Sequence, residues 1–295
     1  MNVQKIPAPS LECGEGAIWD AGHARFLWTD AMDRAVYVAD ENGTSPVLLF
    51  TQAQVGSIAL HRGGGLVFGG AEGVCVWTGG GDVRWLAREA AGRPVRRINE
   101  LLADPVGGVF AAQEVYEEDK SYVPGCLFRF EPGGGVSVIE EGVHVGNGMA
   151  FSPDQRVFYF TESVHRVIYA YDYSVADGSI KNRRAVVRLP VERGLPDGLA
   201  VDSQGYLWTA CWFGGGVARY DPEGKQERFI PLPVAQVSSV AFGGSDLTTL
   251  WATSAAVQWK TKLAPPGHDY TYPRGGSTFR IEQDIVGRVE FLAAV

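Results

Sequence analysis

Long apolar runs are missing from this chain of 295 residues. No stretch approaches the ~20 apolar residues of a membrane-spanning helix, and the opening Met1-Asn2-Val3-Gln4-Lys5-Ile6-Pro7 lacks the apolar core of a signal peptide. The protein is therefore expected to be soluble and cytoplasmic, with no membrane partner. Basic charge is also short: 26 Lys+Arg stand against 34 Asp+Glu, a formal net charge of -8. The few basic pairs, such as Arg96-Arg97 and Arg183-Arg184, are isolated, which argues against a phosphate-binding groove and a nucleic-acid partner. Cysteine is sparse, and Cys13, Cys75, Cys126 and Cys211 form neither a CxxC pair nor a disulfide framework, so they read as buried reduced thiols. Histidines 23, 61, 144, 165 and 268 show no HxH, HxxxH or HExxH spacing, and no Ser lies in a GxSxG elbow, which excludes a covalent serine hydrolase. The glycine runs at 63–65, 79–81, 133–135 and 214–216 lack the Lys-Thr and helix of a phosphate loop and read as turns. Helical periodicity is absent throughout.

What the chain has instead is a repeat. Six segments share a special first position, a small or apolar residue and an alternating apolar core, at a period of roughly 41 to 50 residues. They begin at Glu15, Gly56, Asn99, Asn147, Asp197 and Ser238. Each is followed by a turn and further strands rich in aromatic and β-branched residues, as in Arg25-Phe26-Leu27-Trp28-Thr29-Asp30 after the first and Val157-Phe158-Tyr159-Phe160-Thr161-Glu162 after the fourth. Alternation with Gly, Asp and Pro at the corners is a hairpin signal. Three or four strands per unit at this period match a propeller blade, so the chain is expected to be all-β, a single six-bladed β-propeller domain over residues 1–295. The short runs near Val3 to Ile6 and Arg288 to Leu292 are expected to complete one blade and fasten the ring.

The residue before the innermost strand of each blade stands at one end of the central channel. Gly56 and Ser238 offer little there, but Glu15, Asn99, Asn147 and Asp197 bring two carboxylates and two amide oxygens to one mouth. Two carboxylates neutralise a dication while the amides add dipoles, and all four donors are hard. One divalent metal ion is the implied cofactor: calcium fits best, with magnesium or manganese close behind, whereas zinc lacks its usual His and Cys ligands. The competing reading is that Asn-Gly and Asp-Gly are ordinary turn dipeptides, but their shared register in the repeat favours a site.

Arg97, two residues before Asn99, points the same way if the approach is extended, and its guanidinium suits a ligand carboxylate or hydroxyl. Glu117 and Glu118 follow the second strand of the third blade and are candidates for the same rim. Trp212 holds the corresponding place in the fifth blade and can supply an apolar wall. His165, in a loop after Thr161-Glu162-Ser163, is the histidine that the repeat brings nearest a substrate.

Gly14-Glu15-Gly16, Arg97-Ile98-Asn99, Asn147-Gly148-Met149-Ala150-Phe151-Ser152-Pro153-Asp154, Pro196-Asp197-Gly198-Leu199-Ala200-Val201-Asp202, Leu207-Trp208-Thr209-Ala210 and Ala241-Phe242-Gly243-Gly244 span almost the whole chain. In these stretches the sequence resembles the SMP-30/gluconolactonase/luciferin-regenerating-enzyme family. The resemblance implies a six-bladed propeller with a catalytic divalent metal at Glu15, Asn147 and Asp197, metal or substrate binding by Asn99, and substrate binding by Arg97 and Glu117. It further implies hydrolysis of sugar lactones or related cyclic esters, with calcium, zinc, magnesium, manganese or iron. The chain departs from the family in following Asn99 with Glu100-Leu101 where Asp-Gly is usual, a change expected to reshape that rim. The segment from Ala255 to Gly276 lacks a family pattern and is read as a lid, an oligomer contact or a long loop. The expected reaction is metal-assisted opening of an aldonolactone such as gluconolactone, with Asp197 as general base. The alternatives are hydrolysis of other cyclic or activated esters, phosphotriesters included, and a non-catalytic, metal-stabilised binding propeller.

Overall fold

A computed structural model describes residues 2–44, 46–117, 121–258 and 261–295. The repeat folds as a six-bladed β-propeller. The innermost strands are Gly14–Asp20, Ser57–His61, Ile98–Ala103, Gly146–Phe151, Leu195–Val201 and Val237–Gly243. Each opens an antiparallel sheet that runs outward in chain order, as in the fourth blade with Gly146–Phe151, Val157–Glu162, Val167–Tyr173 and Ile180–Arg188. Each innermost strand packs against those of the preceding and following blades, and the sixth returns to the first, which closes the ring. No α-helix occurs among the described residues; Val191–Arg193 forms one 3-10 turn. Among the described residues no helix is long and apolar enough to cross a membrane.

The termini close the ring in two places, not one. Val3–Lys5 pairs antiparallel with Phe279–Glu282 and becomes the outer strand of the sixth blade. Leu292–Ala293 instead lies parallel to Leu60 and His61, on the inner edge of the second blade. A two-residue pairing carries no alternating pattern of its own, so the sequence could not assign it to a blade.

The apolar core lies between blades because each sheet is covered on both faces. Phe26 of the first blade stacks on Trp251 of the sixth at 4.3 Å, Phe50 meets Phe68 of the second blade at 4.6 Å, and Phe110 of the third stacks on Phe158 of the fourth at 4.5 Å. Such pairs add roughly 0.5–1.5 kcal/mol beyond the area they bury.

The repeated signature sits in irregular pairing at the start of the innermost strand. The register shifts between Glu15 and Ile18, Ile98 and Glu100, Gly146 and Met149, Pro196 and Leu199, and Val237 and Val240. A bulge re-aims side chains, and here Asn147 and Asp197 fall within it. The glycine that follows each is needed for close approach rather than for a turn. A Cβ on Gly148 would stand 2.2 Å from the Leu199 nitrogen, and one on Gly198 would stand 2.6 Å from the Ser239 Cα. Asn-Gly and Asp-Gly are therefore packing elements of the ring, and the turn reading does not hold.

Candidate active site

Glu15, Asn99, Asn147 and Asp197 meet in one cavity of about 100 Å³. Trp212 forms part of its wall, stacking edge-on with Phe213 at 6.1 Å. Each innermost strand begins at this end of the channel. The second strand of each blade is antiparallel to the first, so its exit reaches the same rim. That placement brings in Glu114, just after Val109–Gln113, and Ser163, just after Val157–Glu162. Cys13, Tyr122 and Thr261 add to the polar lining.

Two hydrogen bonds orient the amides. Asn147 Nδ2 donates to Ser163 Oγ at 3.2 Å, and that hydroxyl donates to the Pro196 carbonyl at 2.7 Å. Asn99 Nδ2 donates to the Gly146 carbonyl at 3.1 Å. Both amide nitrogens are thus engaged, that of Asn147 toward Asp197 as well, so carbonyl oxygen is what each amide has left to offer a ligand.

Electrostatics give the cavity its character. Burial, then the charges of Asp197, Glu100 and Glu114, hold the Glu15 carboxyl well above the usual range. Burial, then Glu100 and Glu114, do the same to Asp197, with the Asn147 amide pulling the other way. Glu114 is pushed up to about 6 by burial, although Tyr122 and Arg97 draw it down. Asp197 is 4% exposed, and its Oδ1 is buried without a hydrogen-bond partner among the described residues. Among the described residues no Lys or Arg lines the cavity. Carboxylates that repel one another, one of them with an unpartnered oxygen, and hard amide oxygens beside them form a donor set that fits a hard divalent cation.

The other expected contacts lie elsewhere. Arg97 has a φ of +52°, so the approach to Asn99 is not extended. Its guanidinium stacks 4.6 Å from the Tyr116 ring and Nη1 donates to the Tyr116 carbonyl at 3.3 Å. Arg97 and Glu117 line a neighbouring cleft with Arg93, Arg96 and Tyr116. Glu118 falls outside the described residues, as does Trp259 of the segment from Ala255 to Gly276. The His165 side chain is 52% exposed and its Nδ1 pairs with Glu162, one residue behind the cavity wall.

Glu100 and Leu101 do not reshape the cavity rim. Glu100 faces the channel interior, where Ser57 Oγ donates to it, and burial pushes its carboxyl up to about 7. Leu101 is 3% exposed and belongs to the core between the second and third blades. The bulge at Asn99 turns the two neighbours in different directions, so the departure alters the lining of the channel and reaches the cavity through the charge of Glu100.

The segment after Ala255 is a cavity wall. Val257, Thr261 and Leu263 line the site, and Gln236 Nε2 donates to the Ala255 and Val257 carbonyls, each at 2.9 Å. Arg166 Nη2 ties the Leu263 carbonyl at 2.5 Å, and His268 packs edge-on to Phe213 at 4.8 Å. All four cysteines are free; three are buried, and Cys13 is half-buried in the cavity wall.

Comparison with known proteins agrees with this architecture. Pentonolactonase XacC of Haloferax volcanii is 34% identical, over 100% of this chain and 99% of that protein. Regucalcin of Danio rerio is 31% identical, over 95% of this chain and 94% of its own length. A luciferin-regenerating enzyme superposes with a TM-score of 0.86 over 100% of this chain and 99% of its own, at 23% identity, which supports the fold. The family model described as the SMP-30/Gluconolactonase/LRE-like region matches residues 13–256, the part of the chain that holds Glu15, Asn99, Asn147 and Asp197, and the chain belongs to that family.

Proposed function

We propose that this protein opens a sugar lactone to its hydroxy acid in the cavity of Glu15, Asn99, Asn147 and Asp197, which hold one divalent cation between them. The observation that carries the reading is the buried, unpartnered Asp197 Oδ1 beside a second carboxylate and two amides whose nitrogens are tied to the wall. Relatives named as lactonases support sugar-lactone hydrolysis at the level of the family. The whole-length likeness to a pentonolactonase makes pentonolactones, with gluconolactone, the first substrates to test.

The donor set suits calcium, magnesium or manganese. A cation bound there supplies Lewis acidity at the lactone carbonyl and a more acidic water. Asp197 has two oxygens to divide between holding and proton transfer. As the water oxygen bonds to the carbonyl carbon, Asp197 takes the water proton. When the ring C–O bond breaks, the same carboxyl returns that proton to the departing ring oxygen, leaving a hydroxy acid. Asn99 orients ring hydroxyls and Trp212 covers the apolar face of the sugar ring. Glu114, hydrogen-bonded by Tyr122, offers a further hydroxyl acceptor. Arg97 acts on this site through its charge on Glu114. A cytoplasmic location belongs to the same proposal and rests on the sequence.

The test is a pH-stat screen of pentonolactones, gluconolactone, aryl esters and phosphotriesters on chelated protein, with each divalent ion restored in turn. Lactone opening that needs a cation and vanishes in Asp197→Asn is expected. Turnover confined to phosphotriesters, or cation binding with no turnover of any substrate, would overturn the lactonase reading.

A further inference from the structure

Behind the cavity wall, the junction of the third and fourth blades gathers three side chains that the proposed reaction does not use. His144 follows the strand Val136–Val143, Glu162 closes Val157–Glu162, and His165 lies in the turn beyond it. One ring nitrogen from each histidine and one carboxylate oxygen of Glu162 all lie within 4.8 Å of one another. The two rings meet edge to face, with centroids 5.1 Å apart.

The carboxylate is fixed in place. Glu162 is 2% exposed, Val145 N–H donates to its Oε1 at 3.1 Å, and His165 N–H donates to its Oε2 at 3.1 Å. His165 Nδ1 pairs with the same Oε2. His144 Nδ1 is buried and has no hydrogen-bond partner among the described residues. A pre-oriented carboxylate, a half-exposed imidazole and an imidazole with an unused nitrogen make up a two-nitrogen, one-oxygen donor set. In a tetrahedral zinc site, bonds of about 2.0–2.2 Å put neighbouring ligand atoms ~3.4 Å apart, so the three candidate atoms, now within 4.8 Å, draw closer when all bind one ion.

We propose that His144, Glu162 and His165 form a second divalent-metal site, of the zinc class, with its fourth position open to solvent beside the exposed His165. Two imidazoles favour borderline ions such as zinc or cobalt over calcium and magnesium, which suit the all-oxygen cavity. The two sites therefore differ in selectivity. They also touch through the backbone: Glu162 precedes Ser163, whose hydroxyl accepts from Asn147 and donates to Pro196. A cation on Glu162 thus stands one residue from the group that orients Asn147.

The proposal is tested on the full chain by equilibrium dialysis of chelated protein against Zn²⁺ and Co²⁺, with excess Ca²⁺ present to fill the oxygen site. Wild type is expected to bind one equivalent of Zn²⁺ that Ca²⁺ does not displace, and its Co²⁺ form to show visible bands of nitrogen ligation. Both signals should persist in Glu15→Gln/Asp197→Asn. Affinity should weaken at least about tenfold in His165→Ala and be lost in His144→Ala/His165→Ala, since removing a ligand costs no less than removing its supporting partner. His165 is exposed, so the single variant keeps the test valid if the double variant fails to fold. Zn²⁺ binding that survives in His165→Ala at wild-type affinity, or that disappears in Glu15→Gln/Asp197→Asn, would overturn the second site.

Discussion

Asp197 and Asp202 stand at opposite ends of one innermost strand, both buried, and they are treated by the fold in opposite ways. Asp202 is saturated. Its Oδ1 accepts from the backbone of Gln204 at 2.9 Å and Tyr206 at 3.0 Å. Its Oδ2 accepts from Trp208 Nε1 at 2.9 Å and from Arg219 at 3.0 and 2.7 Å. Asp104 repeats the arrangement in the third blade with Arg129 at 2.8 Å. Among the described residues Asp197 has no basic partner, sits among other carboxylates and leaves Oδ1 unpaired. A buried carboxylate that the chain satisfies itself belongs to the structure, whereas one it leaves unsatisfied points to something the chain must bind.

The largest effect that separates the two aspartates is on turnover. Asp197→Asn is expected to lower kcat/KM on lactones by at least about 10³-fold, in the range of a lost base or charge stabiliser. Metal-free Asp197→Asn should unfold no earlier than wild type, because one repelling charge is gone. Asp197→Asn that unfolded much earlier would place Asp197 with the structural aspartates and break the contrast. Asp202→Asn should do the reverse. Denaturant unfolding is expected to show a loss of about 3 kcal/mol, the cost of taking from Arg219 its buried partner and leaving it only the half-exposed Glu227, while the folded fraction keeps its specific activity.

A smaller effect is linkage to the cation. At a hundred times its Kd, a divalent ion should stabilise wild type and Asp202→Asn by about 2.7 kcal/mol, and should leave Glu15→Gln/Asp197→Asn unmoved in a thermal scan with calcium. Because Glu15 and Asp197 are held above their usual range, binding should expel protons and tighten as pH rises. Calorimetry in buffers of different ionisation enthalpy reads that release, and binding without it would contradict the repulsion inferred for the cavity.

The smallest effect concerns the interior of the channel. Burial pushes Glu290 up to about 7 from 4.5, with Arg288 pulling it down, and it shares the space with Glu100 and Ser57. The folded state therefore binds more protons than the unfolded chain between those values, so this group's share of stability falls as pH rises from 4.5 to about 7 and levels off above. Glu290→Gln should flatten that slope in the metal-free protein. An unchanged slope would mean that the group is solvated.

The propeller was legible because the repeat is long and its alternation is regular, and the convergence of Glu15, Asn99, Asn147 and Asp197 followed from their equal register. Glu114 and Ser163 were missed although the same logic applies to them: an antiparallel second strand must end where the first begins. Arg97 was misplaced because a single left-handed residue reverses the direction that extended spacing implies. The C-terminal pairing with the second blade was hidden for another reason, since Leu292–Ala293 is too short to show a period.

The sequence by itself determined the number of blades, the strands that line the channel and which residues open them, because hydrophobic alternation and turn residues act locally and repeat. Only the tertiary structure decided that Glu100 turns into the channel while Asn99 faces the cavity, that Glu114 joins the carboxylates, and that Asp202 finds an arginine where Asp197 finds none. Those outcomes depend on bulge geometry and on contacts between blades distant in sequence. Whether a buried charge is neutralised is a property of its assembled surroundings, and no local pattern encodes it.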